Sequence, residues 1–255
     1  MKNKTRRRNS LIWIGIVICA CIMGYSGYQV YFQTKDDVAG KEAYSQLKSS
    51  VVSNSSSESI NTETQTSIDP RADIASLKTI TEDAVGWIYS PGTAIDYPVV
   101  QGTDNSYYLS HLYDGSAGSV GAIFMDYRNA ADFSDRNSVL YGHHMKSGQM
   151  FASINGYKDQ SYYDEHPVLE LDTEKAVYKL EAVAGYVVSG ASNNLLDING
   201  KSDEEFLNFI ADVRAKSTFE SQVTVNGQDR VVSLATCAYD FSNARYVLIC
   251  KITEY

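Results

Sequence analysis

Two apolar segments near the C-terminus, separated by a short polar connection, place the strongest constraint on how this chain folds. Residues 230–236 are rich in Val, Leu and Thr and predict a strand, while residues 246–252 are apolar on both faces and predict a buried strand. Cys237 follows the first strand and Arg245 precedes the second. If the two strands pair as neighbours, the thiol and the guanidinium lie at the same edge of one sheet, which is the first candidate for a reactive site.

Further short strand-like runs begin at residue 86, and turn residues separate them. Many short strands in one domain predict a mainly β fold, either a barrel or a sandwich. Helical patterns interrupt the strands at residues 149–156 and 203–216, and Ser202 is a good N-cap for the second of these helices. The additional predicted strands are residues 86–89, 94–101, 121–125, 138–141, 176–188 and 223–225.

The N-terminus has the pattern of a membrane anchor. Five basic residues precede residues 11–23, which are almost wholly apolar, and no charged residue occurs between Arg8 and Lys35. With residues 24–32 the run reaches the ~20 residues that a spanning helix needs. The basic side predicts a cytoplasmic N-terminus with the bulk of the chain outside the cell, hence a single-pass cell-membrane protein anchored through residues 1–34. A cleaved signal peptide and a lipoprotein site at Cys21 are alternatives; the apolar character persists beyond any plausible cleavage site, which favours the uncleaved anchor.

Composition divides the remainder into a linker and a domain. Residues 35–70 are polar and Ser/Thr-rich, which is typical of a linker, although residues 38–51 could be helical. Pro70 opens a predicted helix over residues 72–80 at the entrance of a domain that spans residues 71–255. The chain carries 31 acidic against 22 basic residues, and five of the basic ones precede the apolar run, so a nucleic-acid partner is excluded.

The end of the first strand resembles the signature of the sortases. That signature is a Ser/Thr-Leu-x-Thr-Cys strand end, an Arg on the next strand and a Gly-His pair far upstream. The other segments that resemble class B sortases in particular are Val85-Gly86-Trp87-Ile88, Ile95-Asp96-Tyr97-Pro98-Val99-Val100-Gln101, Asp104-Asn105, Tyr107-Tyr108-Leu109 and Ile123-Phe124-Met125-Asp126-Tyr127-Arg128-Asn129. The resemblance implies a closed eight-stranded barrel with a helix inserted before the strand that ends in the cysteine. The signature residues in this chain are Ser233-Leu234-Ala235-Thr236-Cys237, Arg245 and Gly142-His143.

Three side chains are the candidate catalytic residues. Cys237 is the predicted nucleophile, since a thiolate attacks carbonyl carbons well. His143 is expected to protonate the leaving amine and to deprotonate the attacking one; His144 competes for this role, and the resemblance selects the first histidine after the glycine. Arg245 can stabilise an oxyanion or hold the substrate backbone. A disulfide between Cys237 and Cys250 would consume the nucleophile, so Cys250 is interpreted as a buried apolar residue.

The resemblance also implies a substrate groove beside the nucleophile. Leu195 and Leu196 precede the inserted helix and are either apolar groove contacts or core residues. Asp240 could orient the histidine, but a solvated loop carboxylate is the simpler interpretation. Residues 126–128 are interpreted as a structural turn. No spacing typical of a metal or cofactor site occurs, and none is expected. The predicted substrate-binding residues are Asn105, Leu109, Ala235, Thr236, Leu195 and Leu196.

The resemblance implies a cysteine transpeptidase. Such an enzyme cleaves a C-terminal sorting motif of a secreted protein after Thr, holds the acyl group as a thioester on Cys237, and transfers it to an amine of a peptidoglycan precursor. Two alternatives stay open at this point. One is a hydrolytic cysteine peptidase acting on wall peptides, although papain-like peptidases place Cys before His. The other is a non-catalytic, membrane-tethered β-barrel that only binds.

Overall fold

A closed barrel of eight strands forms the centre of the protein. The structure is a computed structural model that describes residues 2–52, 71–190 and 195–255, without the side chains of residues 2–17, 32–33 and 196. The barrel confirms the mainly β prediction and the strand number that the sortase resemblance implies. The strands are β1 (Ala84–Tyr89), β2 (Asp96–Val100), β3 (Ile123–Met125), β4 (Asn137–Tyr141), β5 (Val168–Asp172), β6 (Val177–Ser189), β7 (Arg230–Ala238) and β8 (Ala244–Glu254).

The strand order around the barrel is β1-β2-β3-β4-β7-β8-β6-β5, and β5 closes the barrel by pairing with β1. Two pairs, β2 with β3 and β4 with β7, are parallel, and the other pairs are antiparallel. The prediction missed β5, whose alternation of Leu with acidic residues is short. The strand predicted at residues 223–225 is wrong, because that segment is irregular and runs beside the inserted helix.

Helices cover the outside of the barrel. In α4 the side chain of Ser202 accepts a hydrogen bond from the Glu205 amide, and the Glu205 carboxylate accepts one from the Ser202 amide, so the predicted cap is a capping box. The buried face of α4 packs against apolar side chains on the outer face of β6, β7 and β8. The helices are α1 (Lys2–Val51), α2 (Ile74–Ile80), α3 (Gln160–Glu165) and α4 (Asp203–Ala215), with 3-10 segments at Tyr107–Leu109, Ala152–Lys158 and Leu195–Ile198.

The last turns of α1 belong to the folded domain. Tyr44, Leu47 and Val51 are buried in the same core cluster as the barrel interior. Residues 38–51, for which a helix was considered within the predicted linker, are helical, and residues 53–70 of that linker lie outside the described residues. The helix therefore reaches the barrel through an apolar stripe near its C-terminal end.

Within the described part of the chain, no helix is long and apolar enough to cross a membrane. The predicted anchor over residues 1–34 falls largely on side chains that lie outside the described ones.

Candidate active site

Strands β7 and β8 bring a thiol and a guanidinium side by side. Cys237 and Arg245 are direct register partners in the antiparallel pair, at the end where the connecting loop begins. Both residues are half-buried, and the thiol of Cys237 is free. Cys250 lies five register positions along the pair, opposite Val232, so the two thiols are not bonded. Burial raises the pKa of the Cys250 thiol, which makes it a poor source of thiolate.

His143 reaches the same edge from the parallel neighbour of β7. Tyr141, the last residue of β4, pairs with Ala235, so the residues that follow β4 lie beside those that precede Cys237. Gly142 is required there for space: a Cβ atom would lie 2.4 Å from the Ile123 side chain and 2.8 Å from that of Phe151. The φ of Gly142 is not positive, so the position requires glycine for space and not for a left-handed backbone.

The imidazole of His143 is oriented by one hydrogen bond. Its Nε2 lies 2.7 Å from the carbonyl oxygen of Leu109. Because a carbonyl oxygen only accepts, Nε2 must carry the hydrogen, which leaves Nδ1 as the nitrogen able to exchange a proton. The tautomer is thus determined by a backbone atom of the loop that follows β2.

His144 has a different environment. Its Nδ1 lies 3.0 Å from the backbone carbonyl oxygen of Cys237, and Asn155 Nδ2 lies 3.2 Å from the same oxygen and 2.9 Å from His144 Nδ1. The ring also faces Tyr239, with 5.0 Å between the ring centroids. His144 and Asn155 therefore hold the backbone of Cys237 rather than line the cleft, and sequence reasoning gave Asn155 no role.

A cleft of about 370 Å³ opens at this edge of the barrel. It brings together all three candidate catalytic side chains. Leu195 is 5% exposed, belongs to the second core cluster and also lines the cleft, so its position is compatible with either of the two predicted roles. The side chain of Leu196 lies outside the described residues. Of the predicted groove residues, the cleft contains Asn105, Leu109, Leu195, Ala235 and Thr236.

The side chain of Thr236 is buried in the barrel wall, where its hydroxyl already has a hydrogen-bond partner. It is 2% exposed, and its hydroxyl donates to the Gly142 carbonyl oxygen at 2.8 Å. The Gly142 amide in turn donates to the Ala235 carbonyl at 3.2 Å. These two bonds tie Ala235 and Thr236, which precede the nucleophile, to Gly142, which precedes His143, so hydrogen bonds between the two chain segments hold the relative position of the two catalytic candidates.

A second guanidinium lines the cleft, and the interpretation of residues 126–128 as a structural turn missed it. Asp126 is fully buried and accepts hydrogen bonds from the Arg128 side chain at 2.9 and 2.8 Å, from Asn105 at 2.8 Å and from the Tyr141 hydroxyl at 3.0 Å. Burial raises the pKa of Asp126, but the hydrogen bonds, led by those from Arg128, outweigh it and hold the pKa below its ordinary value. The carboxylate stays charged and orients Arg128. The Asp-x-Arg spacing directly after β3 was the available sequence signal.

Asp240 pairs with Lys158 at 2.6 Å on the surface, so it is not the partner of His143. This confirms the interpretation of Asp240 as a loop carboxylate rather than an orienting group. Among the described residues no cluster of His, Cys, Asp and Glu could hold a metal ion.

Comparisons with known proteins agree with this geometry. The sequence model of the Sortase domain family matches residues 88–253. Sortase B of Staphylococcus aureus is 31% identical over 253 residues, which is 98% of this chain and 99% of that relative. A crystal structure of sortase B from B. anthracis in complex with AAEK1 has a TM-score of 0.73 at 31% identity, covering 87% of this chain and all of that one.

A structure of the Staphylococcus aureus sortase B–substrate complex has a TM-score of 0.67 at 34% identity, covering 71% of this chain and 84% of that one. The family consists of cysteine transpeptidases, so an enzymatic role replaces the alternative of a barrel that only binds. The match across nearly the full chain, together with a cysteine and an arginine in register at the mouth of an eight-stranded barrel, shows that this protein belongs to the sortase family, in class B.

Proposed function

We propose that this chain cleaves a C-terminal sorting motif of a secreted protein after Thr and joins the new carboxyl end to an amine of a peptidoglycan precursor. The observation that carries the proposal is the register pairing of Cys237 with Arg245 in a cleft that His143 also lines. A nucleophile, a proton carrier and a permanent cation around one cavity suit acyl transfer through a covalent intermediate.

Acylation begins with attack of the Cys237 thiolate on the carbonyl carbon of Thr. The peptide C–N bond breaks, and the leaving amine takes the proton from Nδ1 of the His143 imidazolium, which leaves a thioester and a neutral ring. The hydrogen bond from Nε2 to the Leu109 carbonyl supports this direction, because it stabilises the ring with Nε2 protonated throughout. In the second half, the acceptor amine attacks the thioester, Nδ1 takes its proton, and the C–S bond breaks to restore the thiolate.

Arg245 stabilises the negative charge that develops on the carbonyl oxygen in both steps. Its Nη1 donates to the Ala244 carbonyl at 3.1 Å, which restricts the side chain beside the cleft that it lines. A guanidinium is a permanent cation under physiological conditions, so it can stabilise an oxyanion at every stage of the reaction cycle. The same fork can instead hold the substrate backbone.

The sorting peptide lies along the cleft wall opposite β8. Leu109 is 43% exposed, which makes it an apolar contact available to the peptide, and Asn105 is oriented by its bond to Asp126. Ala235 and Leu195 supply buried apolar wall on the other side. Binding of sorting-motif peptides is further supported by the substrate complex solved for the Staphylococcus aureus relative.

Attachment to the membrane is part of the same proposal. Five basic residues before an uncharged, largely apolar run favour a single-pass anchor with its N-terminus in the cytoplasm and the barrel outside. A membrane-impermeant thiol reagent added to intact cells tests this orientation. Labelling of the peptide that contains Cys237 supports an extracellular barrel, and labelling only after lysis contradicts it.

Trapping of the acyl-enzyme tests the reaction. The full chain is incubated with peptides that end in varied sorting-like motifs, and the adduct is located by mass spectrometry. We expect the N-terminal product of cleavage after Thr to be attached at Cys237, and a triglycine amine added as acceptor to raise the amount of ligated product. An adduct at another residue contradicts the nucleophile assignment. Adduct formation with hydrolysis alone, unaffected by any amine, contradicts transpeptidation and leaves a hydrolytic peptidase.

A further inference from the structure

The C-terminal end of α1 is docked against the elements that hold His143. Tyr44 is 6% exposed, and its ring packs 5.2 Å from the ring of Tyr97 and 5.3 Å from that of Tyr113, measured between centroids. Burial raises the pKa of Tyr44 well above its ordinary value, so the hydroxyl keeps its proton and acts as a donor. This buried donor makes one long-range bond, to the carbonyl oxygen of Gly121 at 2.7 Å.

Gly121 lies next to the His143 ring and to Leu109, whose carbonyl orients that ring. Its φ is +64°, and a Cβ atom there would lie 2.6 Å from the Tyr108 carbonyl oxygen, 3.1 Å from that of Leu109 and 3.0 Å from Cδ2 of His143. The next amide, that of Ala122, donates to the Tyr108 carbonyl at 2.9 Å. The backbone that Tyr44 holds is thus in contact both with the imidazole and with the segment whose carbonyl orients it.

A second route leads from Tyr44 to the backbone of His143. The hydroxyl of Tyr97, whose ring packs on Tyr44, accepts a hydrogen bond from the Met150 amide at 3.1 Å. The adjacent amide of Phe151 donates to the His143 carbonyl at 3.0 Å. The ring of His143 and its main chain are therefore supported by two different segments, and Tyr44 reaches the first through Gly121 and the second through the ring of Tyr97.

From this convergence we propose that Tyr44 is a positioning residue for His143, through which the docked end of the N-terminal helix holds the imidazole with Nδ1 in the cleft. The proposal rests on the acid–base role of His143 in the proposed function. Removing the Tyr44 hydroxyl leaves the buried Gly121 carbonyl without its donor, so the loop over residues 108–122 relaxes and the ring loses its single orientation.

The test uses the full chain with Tyr44→Phe, which removes only the hydroxyl, and Tyr113→Phe as the matched control. The Tyr113 hydroxyl lies 3.4 Å from the Ala43 carbonyl, so it joins the same helix to the barrel without contacting Gly121. The 15N shifts of the ring nitrogens report the tautomer of His143 without substrate. At a pH high enough to keep the ring neutral, we expect one Nε2–H tautomer in the wild type and in Tyr113→Phe, and a mixture of the two neutral tautomers in Tyr44→Phe.

Transfer kinetics supply the second measurement. We expect kcat to fall about tenfold in Tyr44→Phe with KM within about twofold of the wild type, because the reacting group is misplaced while the groove is intact. Unchanged tautomer populations in Tyr44→Phe, or equal effects of both variants, overturn the proposal, since either result means that the helix only stabilises the fold.

Two further outcomes distinguish a failure of this proposal from a failure of the proposed function or of folding. If the wild type transfers no acyl group, the proposed function fails, while the ring shifts still decide whether Tyr44 positions His143. If Tyr44→Phe does not fold, Tyr97→Phe replaces it, because that variant removes only the acceptor of the Met150 amide. A His143 tautomer mixture in Tyr97→Phe then supports the positioning network, and a single tautomer overturns it.

Discussion

Asp126→Asn is the most informative perturbation of the cleft, because one buried carboxylate orients three side chains of its wall. Oδ1 accepts from the backbone amide and Nε of Arg128, and Oδ2 accepts from Asn105, from Nη2 of Arg128 and from Tyr141. An amide presents its NH₂ to one of these two sets, so at least two donors lose their acceptor and the charge is lost with them.

The expected loss of unfolding free energy follows from these hydrogen bonds. Hydrogen bonds to a charged group contribute ~1.5–3 kcal/mol each, and we take the low end for two bonds because the Arg128 side chain is 52% exposed and can be rehydrated. The expected loss is about 3 kcal/mol of the free energy of unfolding, and a drop in Tm of roughly 6–12 °C for a domain of this size. KM for the sorting peptide should rise as well, because Arg128 and Asn105 both line the cleft.

Thermal unfolding followed by circular dichroism measures the stability, and steady-state transfer measures KM. Asp240→Asn is the control: it also removes a carboxylate paired with a cation, but both side chains of that pair are substantially exposed, so little change is expected. A Tm for Asp126→Asn that equals the Tm of the control would refute the reasoning, since it would mean that the network contributes no more than a surface ion pair.

The sign of the pH dependence follows from the lowered pKa of Asp126. A carboxyl whose pKa is lower in the folded than in the unfolded chain adds stability above its ordinary pKa of about 4, and this contribution is lost as the pH falls through the folded value. The difference in stability between the wild type and Asp126→Asn should therefore be full at pH 7 and shrink below about pH 4.

Three further outcomes are expected. His143→Ala should lower kcat/KM by ~10²–10⁴-fold, whereas His144→Ala, which loses a contact to the Cys237 backbone, should lower it less; equal losses would contradict the assignment. Arg245→Lys should lose ~10²-fold or more in transfer while Cys237 still reacts with iodoacetamide, and loss of both would mean that Arg245 stabilises the thiolate instead. Burial raises the pKa of Asp96, but its ion pairs with Arg71 and Lys48 outweigh burial and hold the pKa below its ordinary value. Asp96→Asn should therefore destabilise at pH 7 and much less at pH 3 in urea unfolding; equal losses at both pH values would refute this.

Most elements of the fold could be predicted from local sequence patterns. The Val, Leu and Thr content of residues 230–236 and the apolar residues on both faces of 246–252 predicted β7 and β8 within two residues at each end, because both strands are buried along most of their length. The cap at Ser202 was readable for the same reason, since its partner Glu205 is only three residues away. By contrast β5 was missed, because its short run of mixed residues becomes a strand only through pairing with β1 and β6.

The candidate site divides in a similar way. Cys237 and Arg245 could be placed together from sequence, because two strands joined by a short connection pair with each other. The structure pairs the two residues directly. His143 could be chosen over His144 only by resemblance to the sortases, because two consecutive histidines share the same sequence neighbourhood. Their difference lies in the acceptors they meet, Leu109 for one and the Cys237 backbone for the other.

By itself the sequence determined the mainly β architecture, the candidate cysteine and the arginine beside it, because these depend on spacing along one or two neighbouring strands. Only the tertiary structure decided which cation is oriented by Asp126, which nitrogen of His143 is bonded to the Leu109 carbonyl, and that Tyr44 is bonded to Gly121. The physical reason is that these arrangements depend on hydrogen bonds between segments 77 or 34 residues apart, and on one carboxylate that is buried only once the barrel has closed.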